Sequence, residues 1–229
     1  MASIILCYLY DIPLDIILFS EVMFDEGVSG ENLHHIRFIK EVCIPLFESW
    51  GYEVKIVRSD TTYLKNFYTK VKTPRTHIEN EGKYRGFPTT GMCTIQRDCK
   101  KKPIREFLNN LNEEYVTYLG ICADEPKRLL SMRKDAHNES ILERFSYTQA
   151  DSLRLCKEWG LLSPVYELEN QKRGGCFFCP WAKEDELREA KKAYPDAFRK
   201  FVSLEDEDNL AGSRWNPFKD RLGDIDARI

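Results

Sequence analysis

Four cysteines stand in two close pairs: Cys93 and Cys99 bracket Thr94 to Asp98, and Cys176 and Cys179 bracket Phe177 and Phe178. Thiolates bind soft metals, a C-x2-C knuckle places two of them on one ion, and a second pair closes a four-thiolate shell around zinc or a [4Fe–4S] cluster. The spacing therefore reads as a metal site formed by Cys93, Cys99, Cys176 and Cys179. Gly174 and Gly175 before the knuckle and Pro180 after it suit a tight turn whose amides point at sulfur. Two other readings stand beside it: structural thiols without metal, and disulfides. The opening residues show neither a basic flank nor a long apolar run with a small-residue cleavage site, so the expectation is a reducing, cytoplasmic setting. Cys7, Cys43, Cys122 and Cys156 lie singly in apolar stretches and read as core.

The second chemical feature is cationic. Lys100, Lys101, Lys102 and Arg105 crowd around Pro103, which opens a helix. Free amides at a helix start together with ammonium groups suit a phosphate or sulfate; a solvated helix flank is the alternative. The third is Gly120 to Arg128, directly after an apolar run. Asp124 and Glu125 could orient a ribose or hold a metal-bound phosphate, and Arg128 could grip an oxyanion bidentately. The same residues also read as an ordinary helix start, with Asp124 as cap and Pro126 early in the helix. Glu21 and Asp25 follow a strand in the same way. His34 and His35 read as surface residues of a helix, His77 and His137 as isolated loop residues, and no Ser-His-Asp or Cys-His set emerges from spacing.

The elements that must position these groups alternate. Residues 2–10 read as a helix stopped at Pro13, and residues 15–20 as a strand buried on both faces. Residues 31–50 carry apolar positions at helical spacing up to Gly51, and residues 54–57 form the next strand. Helices are expected at 61–69, 103–111 and 148–159, a polar excursion at 70–90, and a third strand at 115–121. This is the grammar of a parallel α/β sheet, Rossmann-like and flanked by helices. Its strand ends would bring Glu21, Arg58 and the Asp124 to Arg128 segment to one edge. The division expected is an α/β domain over 1–170 and a small metal-stapled helical appendage over 171–229.

Composition sets limits. A chain of 229 residues with 42% hydrophobic and 31% charged residues can bury a substantial core, and no apolar run is long enough to span a bilayer. The net charge of −3 gives no support for non-specific nucleic-acid binding. Charge is nonetheless uneven, basic over 97–105 and acidic over 204–208.

In order along the chain, Ile17 to Asp25, Cys99 to Ile104, Gly120 to Arg128 and Gly175 to Pro180 together resemble the phosphoadenosine phosphosulfate reductase-like family of the adenine nucleotide α-hydrolase, or PP-loop, superfamily. The resemblance covers roughly residues 1–180. It implies an adenine nucleotide, ATP or an adenylyl sulfate, with Lys100 in the family's Lys-x-x-Pro position and Glu21, Asp124, Glu125 and Arg128 around the ligand. The family's Ser-Gly-Gly-x-Asp-Ser loop does not occur in this sequence. The expectation is that the strand and phosphate loop preceding the first helix are missing, by a late start or by loss, and that the chain alone binds ATP poorly. The terminal residues 223–229 carry no cysteine, which argues against reduction of a sulfonucleotide. The function expected is nucleotide activation or sulfur transfer. The alternative is a non-catalytic, metal-stapled degenerate nucleotide fold that acts as partner, through protein or nucleic acid, in a nucleic-acid modification or defence assembly.

Overall fold

A computed structural model describes residues 1–74, 77–88, 93–168 and 174–229. The expected polar excursion at 70–90 falls partly outside them, and the expected boundary at 170/171 wholly so. The chain is mixed α/β, with short parallel strand pairs and helices, roughly compatible with a Rossmann-like arrangement.

Helix α1 (Ala2–Leu9) buries Ile5, Leu6 and Cys7. Strand β1 (Ile16–Ser20) follows, then a small hairpin of β2 (Met23–Asp25) and β3 (Val28–Ser29). The helix expected over 31–50 forms in three parts: α2 (Leu33–Phe38), a π-helical turn at Ile39–Cys43, and α3 (Ile44–Ser49). Asn32 caps it by accepting the amides of His34 and His35. The widened turn has a local cause in Pro45, which has no N–H to offer and whose ring collides with the carbonyl four residues back. Strand β4 (Glu53–Val57) then pairs parallel with β1, from Ile16 opposite Glu53 to Ser20 opposite Val57. The first half is thus one β-α-β unit.

Helix α4 (Tyr63–Phe67) and strand β5 (Tyr84–Gly86) come next. A second π-helical turn, Gln96–Lys101, leads into α5 (Lys102–Asn109), again two residues ahead of a proline, here Pro103. The third strand is shorter than expected. Only Thr117–Tyr118 is extended (β6), and it pairs parallel with β7 (Asn138–Glu139), not with β1 or β4. A tight turn, Ile121 N–H to the Leu119 carbonyl at 2.9 Å, ends it at Gly120. Among the described residues β1 carries a strand on one edge only, so the single sheet expected from the sequence is two separate pairs.

Helix α6 (Pro126–Met132) packs Leu129 and Met132 with Ile121 in a small cluster of its own, while α7 (Ile141–Arg144) and α8 (Gln149–Glu158) complete the first core with α1, the α2–α3 segment and the β1/β4 pair. Cys7, Cys43, Cys122 and Cys156 are buried in it, as expected. The C-terminal part holds α9 (Glu184–Ala193), α10 (Pro195–Ser203), β8 (Leu210–Gly212) and α11 (Leu222–Arg228). Its second core draws on both sides of residue 170: Val22, Phe24, Tyr63, Phe67 and Cys99 pack with Phe177, Phe178, Phe201 and Trp215. Strand β8 pairs parallel with β5, where Gly86 has a positive φ and lies so close to the Gly212 carbonyl that no side chain fits. Among the described residues no helix is long and apolar enough to cross a membrane.

Candidate functional site

At the C-terminal end of β1 the chain changes from apolar to polar, and Ser20 and Glu21 are buried there. Glu21 accepts a fork from Arg58, Nε at 2.9 Å and Nη2 at 2.6 Å on Oε2, while Lys40 reaches Oε1 at 3.1 Å. Burial alone would push this carboxyl up; the hydrogen bonds of Arg58, Lys40 and Ser29 outweigh it and hold the group below its ordinary value. The expectation for Glu21 changes accordingly. Both its oxygens are engaged by the protein, so it anchors the strand end.

The basic turn is stitched to the same edge. Ser20 Oγ donates to the Lys100 carbonyl at 3.0 Å, and Ser59 Oγ to the Asp98 carbonyl at 2.9 Å. The Asp98 side chain, held low chiefly by Arg97, also takes Asn66 at 3.0 Å and Arg85 at 3.1 Å. Lys100 itself is exposed, and among the described residues it has no ion-pair partner. Its charge reaches Glu31, His35 and Cys176. His35 is half-buried, not a surface residue: its Nδ1 lies 2.9 Å from Ser163 Oγ, and burial, aided by Lys100 and the N-terminal amine, pushes its pKa down.

The cysteine knuckle docks on the hairpin. Cys176 bridges Glu31 in antiparallel fashion, Phe177 N–H donates to the Gly30 carbonyl at 2.9 Å, and Cys179 N–H closes the turn onto the Cys176 carbonyl at 3.0 Å. Trp215 Nε1 and Asn216 Nδ2 hold its outer rim through the carbonyls of Phe178 and Pro180 at 3.0 and 2.7 Å. Burial, with Glu31, Cys179 and Cys93 adding to it, pushes the Cys176 thiol well above the ordinary range. Cys99 is pushed up to about 12 by burial, with Asp98 and Cys93 contributing. Cys99 lies in, and Cys176 and Cys179 pack against, the same apolar core, while Cys93 is exposed. Among the described residues, however, no group of three or more His, Cys, Asp or Glu side chains closes to metal-binding geometry. All eight cysteines are free thiols.

Whether these residues suit a metal can be judged from their chemistry. Buried thiols with raised pKa values keep their protons unless a cation replaces them. The Tyr63 hydroxyl, fully buried in the same core, has no hydrogen-bond partner among the described residues. Glu31 is buried as well, and burial pushes its carboxyl up against the pull of Lys100 and the Val22 amide, favouring its neutral form. Thiols are the donor type that a thiophilic ion or cluster takes, but the described residues do not gather three such donors at one point.

The Asp124 to Arg128 segment behaves differently from its expectation. Asp124 Oδ1 accepts the Gln149 amide at 3.1 Å, Glu125 Oε2 accepts the Cys122 amide at 3.0 Å, and Arg128 pairs with Glu125 Oε1 at 2.6 Å. Glu125 and Arg128 bond within their own helix start, Asp124 reaches the first residue of α8 and does not cap α6, and none of these contacts reaches β1 or the Lys100 turn. The structure joins Glu21 to Arg58 and ties the Lys100 turn to the same strand end through Ser20, does not close the four cysteines into one group among the described residues, and leaves Asp124, Glu125 and Arg128 with other partners. Sequence reasoning missed Lys40, Glu31 and Tyr63. Lys40 sits four residues from Ile36 on a helix whose inner face is apolar, a weak signal; nothing in spacing marks Glu31 or Tyr63. Comparison with family models, curated proteins and solved structures returns no match.

Proposed function

We propose that the chain is an adenine-nucleotide-dependent sulfur-chemistry protein of the phosphoadenosine phosphosulfate reductase-like type, and that Cys93, Cys99, Cys176 and Cys179 hold zinc or a [4Fe–4S] cluster. One observation carries the reading: the turn bearing Lys100 is bonded through its backbone to the end of a parallel strand while its Cys99 is buried in the core that holds the knuckle. Ligands of open α/β folds bind at such strand ends. In this reading Lys100 meets the phosphate or sulfate, and the backbone of Ser20 to Met23 lies along the nucleotide. The Glu21–Arg58–Lys40 set fixes the edge and touches no ligand. When bound, zinc would brace the two cysteine pairs, and a cluster would add charge and redox chemistry beside the anion.

Without the Ser-Gly-Gly-x-Asp-Ser loop, one ammonium group supplies most of the grip, so affinity for ATP is weaker than about 10 μM and falls with salt. The second reading, a non-catalytic module serving a partner, gains from one fact: Glu21, Asp124, Glu125 and Arg128 already have protein partners. Anaerobic purification with metal analysis and an absorbance spectrum tests the first reading. Iron with absorbance near ~400 nm, or one zinc per chain, supports it. A metal-free protein that also ignores ATP and adenylyl sulfate in calorimetry refutes it and leaves the module.

A further inference from the structure

Beside the β2–β3 hairpin the surface sinks into a cleft of about 350 Å³. Its apolar wall is made by Val28 of the hairpin, Leu33 and Ile36 of α2, and Tyr194 at the junction of α9 and α10. Tyr194 is fixed twice: its hydroxyl donates to the Glu31 carbonyl at 3.4 Å, and its ring stacks on Phe177 with centroids 5.6 Å apart. A cleft of this volume suits a small molecule, with an apolar wall for its body and a few polar groups to set its orientation.

Three charged residues line it: Arg37, Lys40 and Glu41. Lys40 is already engaged, its ammonium group 3.1 Å from Glu21 Oε1. Arg37 and Glu41 are exposed, and among the described residues neither side chain has an ion-pair or hydrogen-bond partner. They stand four residues apart, a spacing at which opposite charges on a helix meet. Lys102 and Glu106 do so at 3.5 Å, and Arg154 and Asp151, three apart, at 2.6 Å. The π-helical turn Ile39–Cys43 begins between Arg37 and Glu41 and alters the angle at which they leave the helix. Both therefore border the cleft without closing on each other.

An unpaired cation and an unpaired acid on one cleft define the ligand. A simple anion would meet Arg37 and be repelled by Glu41; a simple cation would meet the reverse. A small zwitterion satisfies both. Side-chain stems one helical turn apart are separated by about 5–6 Å, which matches a carboxylate and an ammonium group carried on a single carbon. We propose that this cleft binds a free α-amino acid with an apolar side chain, its carboxylate on Arg37, its ammonium on Glu41, and its side chain against Leu33, Ile36 and Tyr194. The inference needs neither the nucleotide nor the metal.

Calorimetry of the full chain at low salt tests it, with L-leucine, L-methionine and L-phenylalanine as probes. N-acetyl-L-phenylalanine, which lacks the ammonium group, and L-phenylalaninamide, which lacks the carboxylate, serve as blocked probes. Arg37→Gln and Glu41→Gln alter exposed side chains without described partners, so both variants keep the wild-type melting temperature. Expected is a dissociation constant below about 1 mM for at least one of the three amino acids. Each variant and each blocked probe should weaken binding by about tenfold or more, the worth of a hydrogen bond between charged groups. The N-acetyl compound should bind Glu41→Gln no worse than wild type, because probe and variant remove the same contact. The inference is overturned if none of the three amino acids binds below about 1 mM, if either variant binds them like wild type, or if either blocked probe matches the free amino acid.

Discussion

Glu21→Gln is the substitution on which the account of the sheet edge stands. The wild-type carboxylate is almost wholly buried, with the Arg58 fork on one oxygen and Lys40 on the other. Glutamine keeps the shape and one acceptor oxygen but turns an NH₂ group toward two cations. Removing one partner of a buried charge pair costs about 3–5 kcal/mol when the other is trapped. Here Arg58 and Lys40 are 50% and 41% exposed and regain water, so the upper part of that range does not apply. A loss of about 2–3 kcal/mol follows, near the worth of one to two hydrogen bonds to a charged group. For a chain of this size that corresponds to a fall of roughly 5–10 °C in melting temperature. The effect must also depend on pH in one direction. Because the folded carboxyl is held below its ordinary value of 4.5, its contribution is complete above that value and fades as pH falls through the folded value. Urea unfolding of both proteins at neutral pH and below pH 4 measures this, with equal slopes required before midpoints are compared. A difference under about 1 kcal/mol at neutral pH, or one that grows on acidification, would falsify the assignment of Glu21 as a buried anchor.

Further outcomes follow from the same geometry. Gly30→Ala would set a Cβ 2.5 Å from a Phe178 ring carbon and 3.1 Å from the Val22 carbonyl; overpacking of this order costs about 1–3 kcal/mol, read as a lower melting temperature together with weaker metal retention. Cys176→Ser should lower metal content and abolish the drop in melting temperature that a chelator causes in the wild type, since metal binding is also folding energy. Lys100→Ala should weaken sulfate or ATP binding by about 1.5–3 kcal/mol in low-salt calorimetry, while Arg128→Ala, whose guanidinium is already paired with Glu125, should leave it within about twofold. Equal losses in the two variants would move the site to the α6 end.

Much of the first half was legible because its signals are local. The apolar run of β1, the helical spacing from Leu33 to Phe47 and the Gly51 stop each describe an element that needs little from elsewhere, and all of them form. The interior of the long helix was less so: a π-helical turn depends on how Pro45 is accommodated, which periodicity does not report. β6 was overread because Tyr115 to Ile121 is apolar enough for a buried strand, yet a strand extends only as far as a neighbour pairs with it, and β7 offers two residues. The charged residues after β6 were ambiguous from the start, as ligand contacts or as a helix cap: Glu125 takes the nearby Cys122 amide, whereas Asp124 takes the Gln149 amide at the start of α8, a partner that spacing does not reveal. Tyr63 and Glu31 carried no signal, because what distinguishes them is a relation to residues more than a hundred positions away in Cys176 and Phe178.

The turn Gln96–Lys101 ties the basic stretch to the ends of two strands. Its carbonyls at Asp98 and Lys100 are taken by hydroxyls from the β4 and β1 ends, and the Asp98 carboxylate is gripped by Asn66, Arg85 and Arg97. Every one of these bonds leaves the Lys100 ammonium group outward and the Cys99 sulfur inward. The widened turn two residues ahead of Pro103 sets that geometry, because adjacent residues are thrown about 100° apart on a regular helix and further adjusted where a π turn intervenes. An exposed cation and a buried thiol thus sit on adjacent residues of one turn. The six-residue separation of Cys93 from Cys99 reflects it as well: one cysteine lies before the turn at the surface, the other inside it. The spacing that suggested a metal site is, in the structure, the spacing that wraps a turn around the end of a strand.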